Sequence, residues 1–308
     1  MFAIGVDIGG SHILSAAIDM TEGKILEETR INLKVDNKGT KDAILDTWSK
    51  AVNFSIGKLD SDKLAGVGFA MPGPFNYRTG IALFKGGNDK YEHLYGINIA
   101  KEFSPRLVKA GIPIRFLNDA TSFGVGDAFY GKAKGFERSV AITLGTGLGS
   151  AFIERGVPVV SRDDVPDNGC LWYLPFGDGI ADDYFSTRWF IKEFKEVTGL
   201  DAKGVKEIAE RAGLHIEVGD IFARFGQNLG EFLIPWLNKF PADILVMGGN
   251  ITKAFHLYSG TLSEVFIRHN IRLELAVSEL MEDAALLGSA QLFDHSFWAN
   301  AKKDLPTN

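Results

Sequence analysis

Residues 1–19 read MFAIGVDIGGSHILSAAID: two apolar runs joined through Asp7, Ile8, Gly9, Gly10 and Ser11. An ordinary hairpin keeps its polar residues in the turn, but Asp7 stands before the turn, at the last strand position, where its carboxylate points along the mouth of the loop. Either Asp7 bonds its own turn backbone or it serves something bound at the loop. The same plan of strand, glycine loop and strand returns in RSVAITLGTGLGSAFIERGVPVV at residues 138–160, which implies an internal duplication.

Between and after these copies the periodicity alternates. Strands are expected at about 2–7, 13–19 and 25–33, followed by a helix from Thr40 to Ile56 in which Ala43, Ile44, Trp48, Ala51 and Val52 keep a helical spacing. LAGVGFAMPGP gives a strand ending at Met71 in a Pro-Gly-Pro turn. After the irregular stretch FKGGNDKYEHLYG come a helix near 97–110, the strand PIRFLN and a helix from about Ala120. Helices dominate from the end of the 161–183 loop to about Phe240, DILVMGGN reads as a buried strand closing on a glycine pair, and a helix, the strand RLELAV and the apolar helix DAALLGSAQLF complete the chain. This alternation predicts an α/β protein. A chain of 308 residues exceeds what one core usually serves, so two lobes are expected, 1–117 and 118–282, meeting near residue 117.

The composition, 45% hydrophobic and 23% charged, is that of a folded chain, and its net charge of −6 gives no basic field for nucleic acid or an anionic membrane surface. Cys170 is the only cysteine, which excludes an intrachain disulfide and any zinc site built from several thiolates. The N-terminal run lacks the basic start and cleavage site of a signal peptide, and no stretch approaches the roughly 20 apolar residues of a membrane span, so a cytoplasmic protein is expected. The six histidines form no metal-site spacing, and the six aspartates between 161 and 183 (Asp163, Asp164, Asp167, Asp178, Asp182 and Asp183) read as a solvated surface.

Two glycine loops in matching positions turn backbone N–H groups toward an anion, and facing each other they would clasp a polyphosphate. Gly9, Gly10, Gly145, Gly147 and Gly149 allow phosphate oxygens to reach the backbone, and Ser11, Thr143 and Thr146 add hydroxyl donors without bulk. Asp7 then suits Mg2+, held through the waters that this ion retains. Asp119, where the strand PIRFLN meets a helix, reads either as a helix N-cap or, beside a phosphate site, as the carboxylate that orients an attacking hydroxyl and accepts its proton. Asn118 offers a donor and an acceptor to a polyhydroxylated substrate.

These motifs, in this order, resemble those of the ROK sugar kinases of the actin-like ATPase superfamily over nearly the whole chain. VDIGGS is similar to the family's first phosphate motif, GFAMPGP to its sugar-side loop, LNDAT to its catalytic Asn-Asp-Ala, ITLGTGLGSAFI to its second phosphate motif and VMGGNI to its adenosine motif. The resemblance implies two lobes of ribonuclease H-like fold around a cleft, with the final helix at about 283–297 returning to the first lobe, and phosphorylation of a sugar hydroxyl by ATP with Mg2+, the sugar being a hexose such as glucose. It makes Asp119 the general base, Gly73, Asn88 and Asn118 sugar contacts, and Gly248, Gly249 and Asn250 part of the adenosine site. A homodimer is implied as well.

Family members typically carry Gly-Glu-x-Gly-His and a Cys-x-Cys-Gly-x-x-Gly-Cys zinc motif where this chain has NGCLWYLPFGDGIADDYFS. Alignment of the two puts Cys170 at the glutamate, Tyr173 at the histidine, Ile180 at the last cysteine and Asp182 at the following acid, so zinc is not expected. His12 replaces the lysine often found after the first phosphate motif. Two other readings stand beside the kinase. A sugar-responsive transcriptional regulator has no room for an N-terminal helix-turn-helix when the first motif starts at residue 7, and against a non-catalytic sugar- or ATP-binding protein stand Asp7 and Asp119.

Overall fold

A computed structural model describes residues 1–85, 90–213 and 215–305 of the chain. Two five-stranded sheets carry the fold. In the first, β1 (Phe2–Ile8), β2 (His12–Asp19), β3 (Lys24–Lys34), β4 (Leu64–Met71) and β5 (Ile114–Asn118) lie in the order β3-β2-β1-β4-β5. The second repeats that order as β8-β7-β6-β9-β10, built from β6 (Arg138–Leu144), β7 (Leu148–Glu154), β8 (Val157–Pro158), β9 (Ile244–Gly248) and β10 (Glu274–Val277). In each sheet the first three strands form an antiparallel meander, and the last two run parallel to the central one, which requires helical crossovers. Each meander opens with a glycine hairpin, so the duplicated loops stand at equivalent places.

Helix α1 (Lys41–Ile56) starts at Thr40, whose hydroxyl accepts the Ala43 N–H at 3.3 Å, and buries Ile44, Leu45, Trp48, Ala51 and Val52 on the first sheet beside β2 and β3. Two further helices lie between the sheets. After Asn118 the chain leaves the first sheet and enters α2 (Asp119–Tyr130), which packs on β6 and β7; after β10 it returns through α4 (Asp283–Ala290), which packs on β1 and β4. Residues Ala284–Ala290 are all buried because one side of α4 meets a sheet and another meets α2. The α2–α4 contact depends on glycine: a β-carbon on Gly126 would overlap the carbonyl of Ala284, and one on Gly288 that of Ser122.

One hydrophobic core fills the first sheet's surroundings and continues past α2 and α4 to Ala141, Ile153 and Val246 on the near face of the second sheet. A second core lies on the far face, where α3 (Ile216–Lys239) supplies Phe222, Phe225, Leu229 and Leu233.

Two helices are shorter than their periodicity predicts. The segment at 97–110 forms only Ile99–Phe103 and a 3-10 turn at Ser104–Arg106, because Pro105 has no N–H to continue the ladder. The segment at 283–297 ends its α-helix at Ala290 and breaks at Asp294, which adopts an extended conformation and caps the separate helix His295–Ala301 through the Phe297 N–H at 2.7 Å. Among the described residues no helix is long and apolar enough to cross a membrane.

Candidate active site

Asn118 and Asp119 stand where the chain passes from β5 to α2. The helix cap is Asn118: its side-chain oxygen accepts the Thr121 N–H at 3.1 Å. Asp119 is thereby released from capping. Its Oδ1 accepts the Asn118 amide at 2.9 Å and the Ala120 N–H at 2.8 Å, and the other carboxylate oxygen accepts no hydrogen bond among the described residues. Burial pushes the Asp119 carboxyl above its usual range, against the lowering effect of these N–H donors.

Asp7, at the penultimate position of β1, is near enough to Asp119 to feel its charge. Burial first, then Asp119 and Glu282, push its carboxyl up to about 7. The Asp7 side chain accepts no hydrogen bond among the described residues, so the turn-bonding reading of this aspartate does not describe it. An unpartnered carboxylate of this kind suits a hydrated cation. Glu282, in the segment that returns to α4, is a third acidic group here that no motif in the sequence marked.

The first glycine loop is held from behind. Gly9 N–H donates to His12 O at 3.0 Å, Tyr91 donates its hydroxyl to Gly9 O at 2.7 Å, and the Asn37 amide donates to Gly10 O. With these carbonyls tied, the N–H groups of Gly10 and Ser11 have no acceptor among the described residues. His12 lies with its ring over Gly9, where a β-carbon would collide with it.

The second loop has the same construction from different parts. Thr187 donates both its N–H and its hydroxyl to Gly145 O, at 2.8 and 2.9 Å, and Arg188 donates to Thr146 O at 3.1 Å. Asp182 accepts the Leu148 N–H at 2.7 Å and pairs with Arg188 at 2.6 Å. The aspartate-rich loop is therefore not simply a solvated surface: Asp182 is its structural link to the phosphate-type loop. The N–H groups of Thr146 and Gly147 have no acceptor among the described residues. A β-carbon on Gly149 would lie 2.7 Å from that of Ala120, which sets this loop against the first turn of α2 beside Asp119. Gly248 pairs in register with Thr143, and a side chain on Gly249 would strike the carbonyl of Leu144. Gly248 and Gly249 thus adjoin the second loop, whereas the Asn250 side chain is turned to Lys253 at 2.9 Å.

On the other flank Tyr77 donates its hydroxyl to Met71 O at 3.1 Å and accepts the Asn118 amide at 3.1 Å, and a β-carbon on Gly73 would lie 3.6 Å from that hydroxyl. Both polar ends of Asn118 are engaged within the protein. Cys170 also lies close to Asp119; burial and that negative charge push its thiol up to about 11, so it stays protonated at neutral pH. Asn88 lies outside the described residues.

Where the zinc motif was missing from the sequence, the chain folds on aromatic contacts. The hairpin Pro175–Phe176/Gly179–Ile180 places Phe176 against Tyr184, Phe185 and Phe232 at ring-centre distances of 5.0, 5.2 and 5.5 Å. Among the described residues no three histidine, cysteine or carboxylate side chains converge on a metal position. Trp172 is about half exposed and packs on Tyr173, while Cys170 lies within electrostatic reach of Asp119.

Residues 3–160 match the ROK family. A glucokinase of Streptomyces coelicolor is 31% identical over 327 residues, spanning 94% of this chain and 96% of that protein. A glucokinase of Thermotoga maritima is 25% identical over 316 residues, with 94% and 96% covered. In fold, the chain is similar to the crystal structure of a ROK family glucokinase from Streptomyces griseus in complex with glucose and AMPPNP, with a TM-score of 0.71, 22% identity, and 95% and 99% of the two chains covered. The chain belongs to the ROK family, and its two-sheet architecture is the actin-like ATPase fold.

Proposed function

We propose that this ROK family protein transfers the γ-phosphoryl group of ATP to a hydroxyl of a hexose, with glucose the first candidate. The observation that carries the reading is the state of Asp119: fixed by Asn118 and Ala120 through one oxygen, it keeps the other for a substrate, beside a glycine loop with unpaired N–H groups. The glucokinase relatives support the same activity.

In the reaction the sugar hydroxyl oxygen forms a bond to the γ-phosphorus, and the bond between γ-phosphorus and the bridging oxygen breaks with its electrons leaving on ADP. The hydroxyl proton passes to the free oxygen of Asp119, and burial makes that carboxylate a better base than an exposed one. Gly10, Ser11, Thr146 and Gly147 direct backbone N–H groups at phosphate oxygens, with the Ser11, Thr143 and Thr146 hydroxyls beside them. Gly145 and Gly149 shape the second loop, and Gly248, Gly249 and Asn250 border the nucleoside. Asp7 would hold Mg2+ through water, which supplies charge neutralisation of the polyphosphate when bound. Gly73, Asn88 and the Tyr77–Asn118 pair form the sugar side. Zinc has no role in this reading; a cytoplasmic homodimer, with neither nucleic acid nor membrane as partner, completes it.

The test is ADP release with Mg-ATP across a panel of sugars, with and without added zinc and beside Asp119→Ala. Sugar-dependent turnover, indifferent to zinc and lost in the variant, is expected. Turnover retained in Asp119→Ala would remove the mechanism, and binding of sugar or nucleotide with no turnover would favour a sensor.

A further inference from the structure

Asn37 and Tyr91 come from outside the β1–β2 hairpin and fasten it, and the residue between Tyr91 and the undescribed segment is brought with them. Tyr91 is buried, its hydroxyl bonds Gly9 O at 2.7 Å, and its N–H donates to Asn37 O at 2.8 Å. The backbone at Lys90 is therefore held at the loop. Its side chain runs across Gly10: a β-carbon built on Gly10 would lie 2.9 Å from Lys90 Nζ and 3.1 Å from its Cε. A larger residue at position 10 would have to displace this ammonium.

Lys90 makes no ion pair among the described residues, although the chain has 39 acidic against 33 basic side chains to offer it. Other basic groups at the two loops are committed elsewhere. Arg188 is bound to Asp182 and to Thr146 O, and His12 is folded over Gly9. Meanwhile the floor of the site is acidic, with Asp7 within electrostatic reach of Asp119 and Glu282. A triphosphate brought into this field needs a compensating positive charge at the hairpin, and a lysine supplies a compact one on a flexible stem.

We propose that Lys90 contacts the terminal phosphoryl group of the donor at the Gly10 hairpin and stabilises the charge on its oxygens during transfer. This rests on the kinase reading for its reaction, but the contact itself is to a phosphate. No motif of the glycine-loop type signals it, since the lysine arrives some 80 residues later in the chain, after Gly10.

The experiment compares the full-length protein with Lys90→Met and Lys90→Arg. Two quantities are read: kcat and KM for ATP and sugar, and the ratio of affinities for a non-hydrolysable ATP analogue and for ADP. Lys90→Met is expected to lower kcat at least about tenfold and to reduce that affinity ratio, with sugar KM and melting temperature unchanged because the side chain is exposed. Lys90→Arg should recover most of the loss. A Lys90→Met protein with unaltered kcat and unaltered ratio overturns the proposal, as does a loss that arginine leaves unrepaired. If the unmodified protein shows no sugar-dependent ADP release, the kinase reading fails by itself. The affinity ratio then still decides whether Lys90 meets a terminal phosphate: a ratio lowered by Lys90→Met supports it and an unchanged ratio removes it.

Discussion

Asn118 donates its side-chain amide to Asp119 Oδ1 at 2.9 Å while its own side-chain oxygen caps the helix that Asp119 begins. One residue thus starts α2 and aims the neighbouring carboxylate, and the two roles separate on mutation. Asp119→Asn keeps the size of the side chain but not its basicity, and should cut kcat by about 10²–10⁴-fold with the sugar still bound. Asn118→Ala should cost about 1 kcal/mol of stability through the lost cap and lower kcat by a smaller factor. Thermal melts and steady-state kinetics on both variants check this; equal kcat in Asp119→Asn and the parent protein would exclude a base at this position.

The relation between Asn118 and Asp119 marks where sequence reading reached and where it stopped. Glycine loops, strand ends and the alternation of elements are local patterns, so the two sheets and the positions of Asp7, Asp119 and Gly149 were legible. One of the two readings of Asp119 makes it the N-cap, because Asn and Asp share the same capping chemistry and only backbone geometry tells that Asn118 is the neighbour that uses it. Tyr77, Tyr91, Lys90 and Glu282 enter the site from distant segments with no repeating pattern. Asp182 looked like one of six solvated aspartates until the fold brought it to Leu148 N–H and Arg188. The helix break at Asp294 was hidden because the apolar spacing continues across it while the backbone turns extended.

Asp7 gives a pH dependence with a defined sign. Its carboxyl is pushed from 3.8 to about 7 in the folded protein, so the folded state binds the proton more tightly than the unfolded chain does. The stability this contributes is fully present below pH 3.8 and is lost as pH rises through about 7. Without nucleotide or divalent cation, the parent protein should therefore lose melting temperature between pH 5 and pH 8 relative to Asp7→Asn, in which this titration is absent. Parallel curves for the two proteins over that interval would show that Asp7 titrates normally.

Asp182 ties the second glycine loop to the chain near residue 188 through both of its oxygens. Asp182→Ala releases Leu148 N–H and Arg188 together, so the loop should lose its fixed shape while Asp119 keeps its own hydrogen bonds. We expect KM for ATP to rise about tenfold or more, corresponding to the ~1.4 kcal/mol of a charge-assisted hydrogen bond, with KM for sugar little changed. Asp182→Asn should fall between, because its oxygen can still accept from Leu148 N–H. A rise confined to the sugar KM would mean that this loop serves the acceptor and not the donor.

The region that aligns with the zinc motif offers the last test, because it is held by aromatic rings. Phe176 meets Tyr184, Phe185 and Phe232, and Phe185 in turn meets Phe225 and Phe232, which carries the hairpin onto α3. Removing the Phe176 ring deletes three of these contacts at once. Phe176→Ala should cost about 2 kcal/mol, less than the ~3–5 of a fully buried phenylalanine, because this ring remains partly exposed. The hairpin leads directly to Asp182, so the same variant should also raise KM for ATP. Chelators should leave both melting temperature and turnover unchanged when Mg2+ is kept in excess, since the hairpin's stability resides in ring packing. A chelator-induced drop in melting temperature, reversed by zinc and not by magnesium, would reveal a metal that the aromatic cluster does not replace.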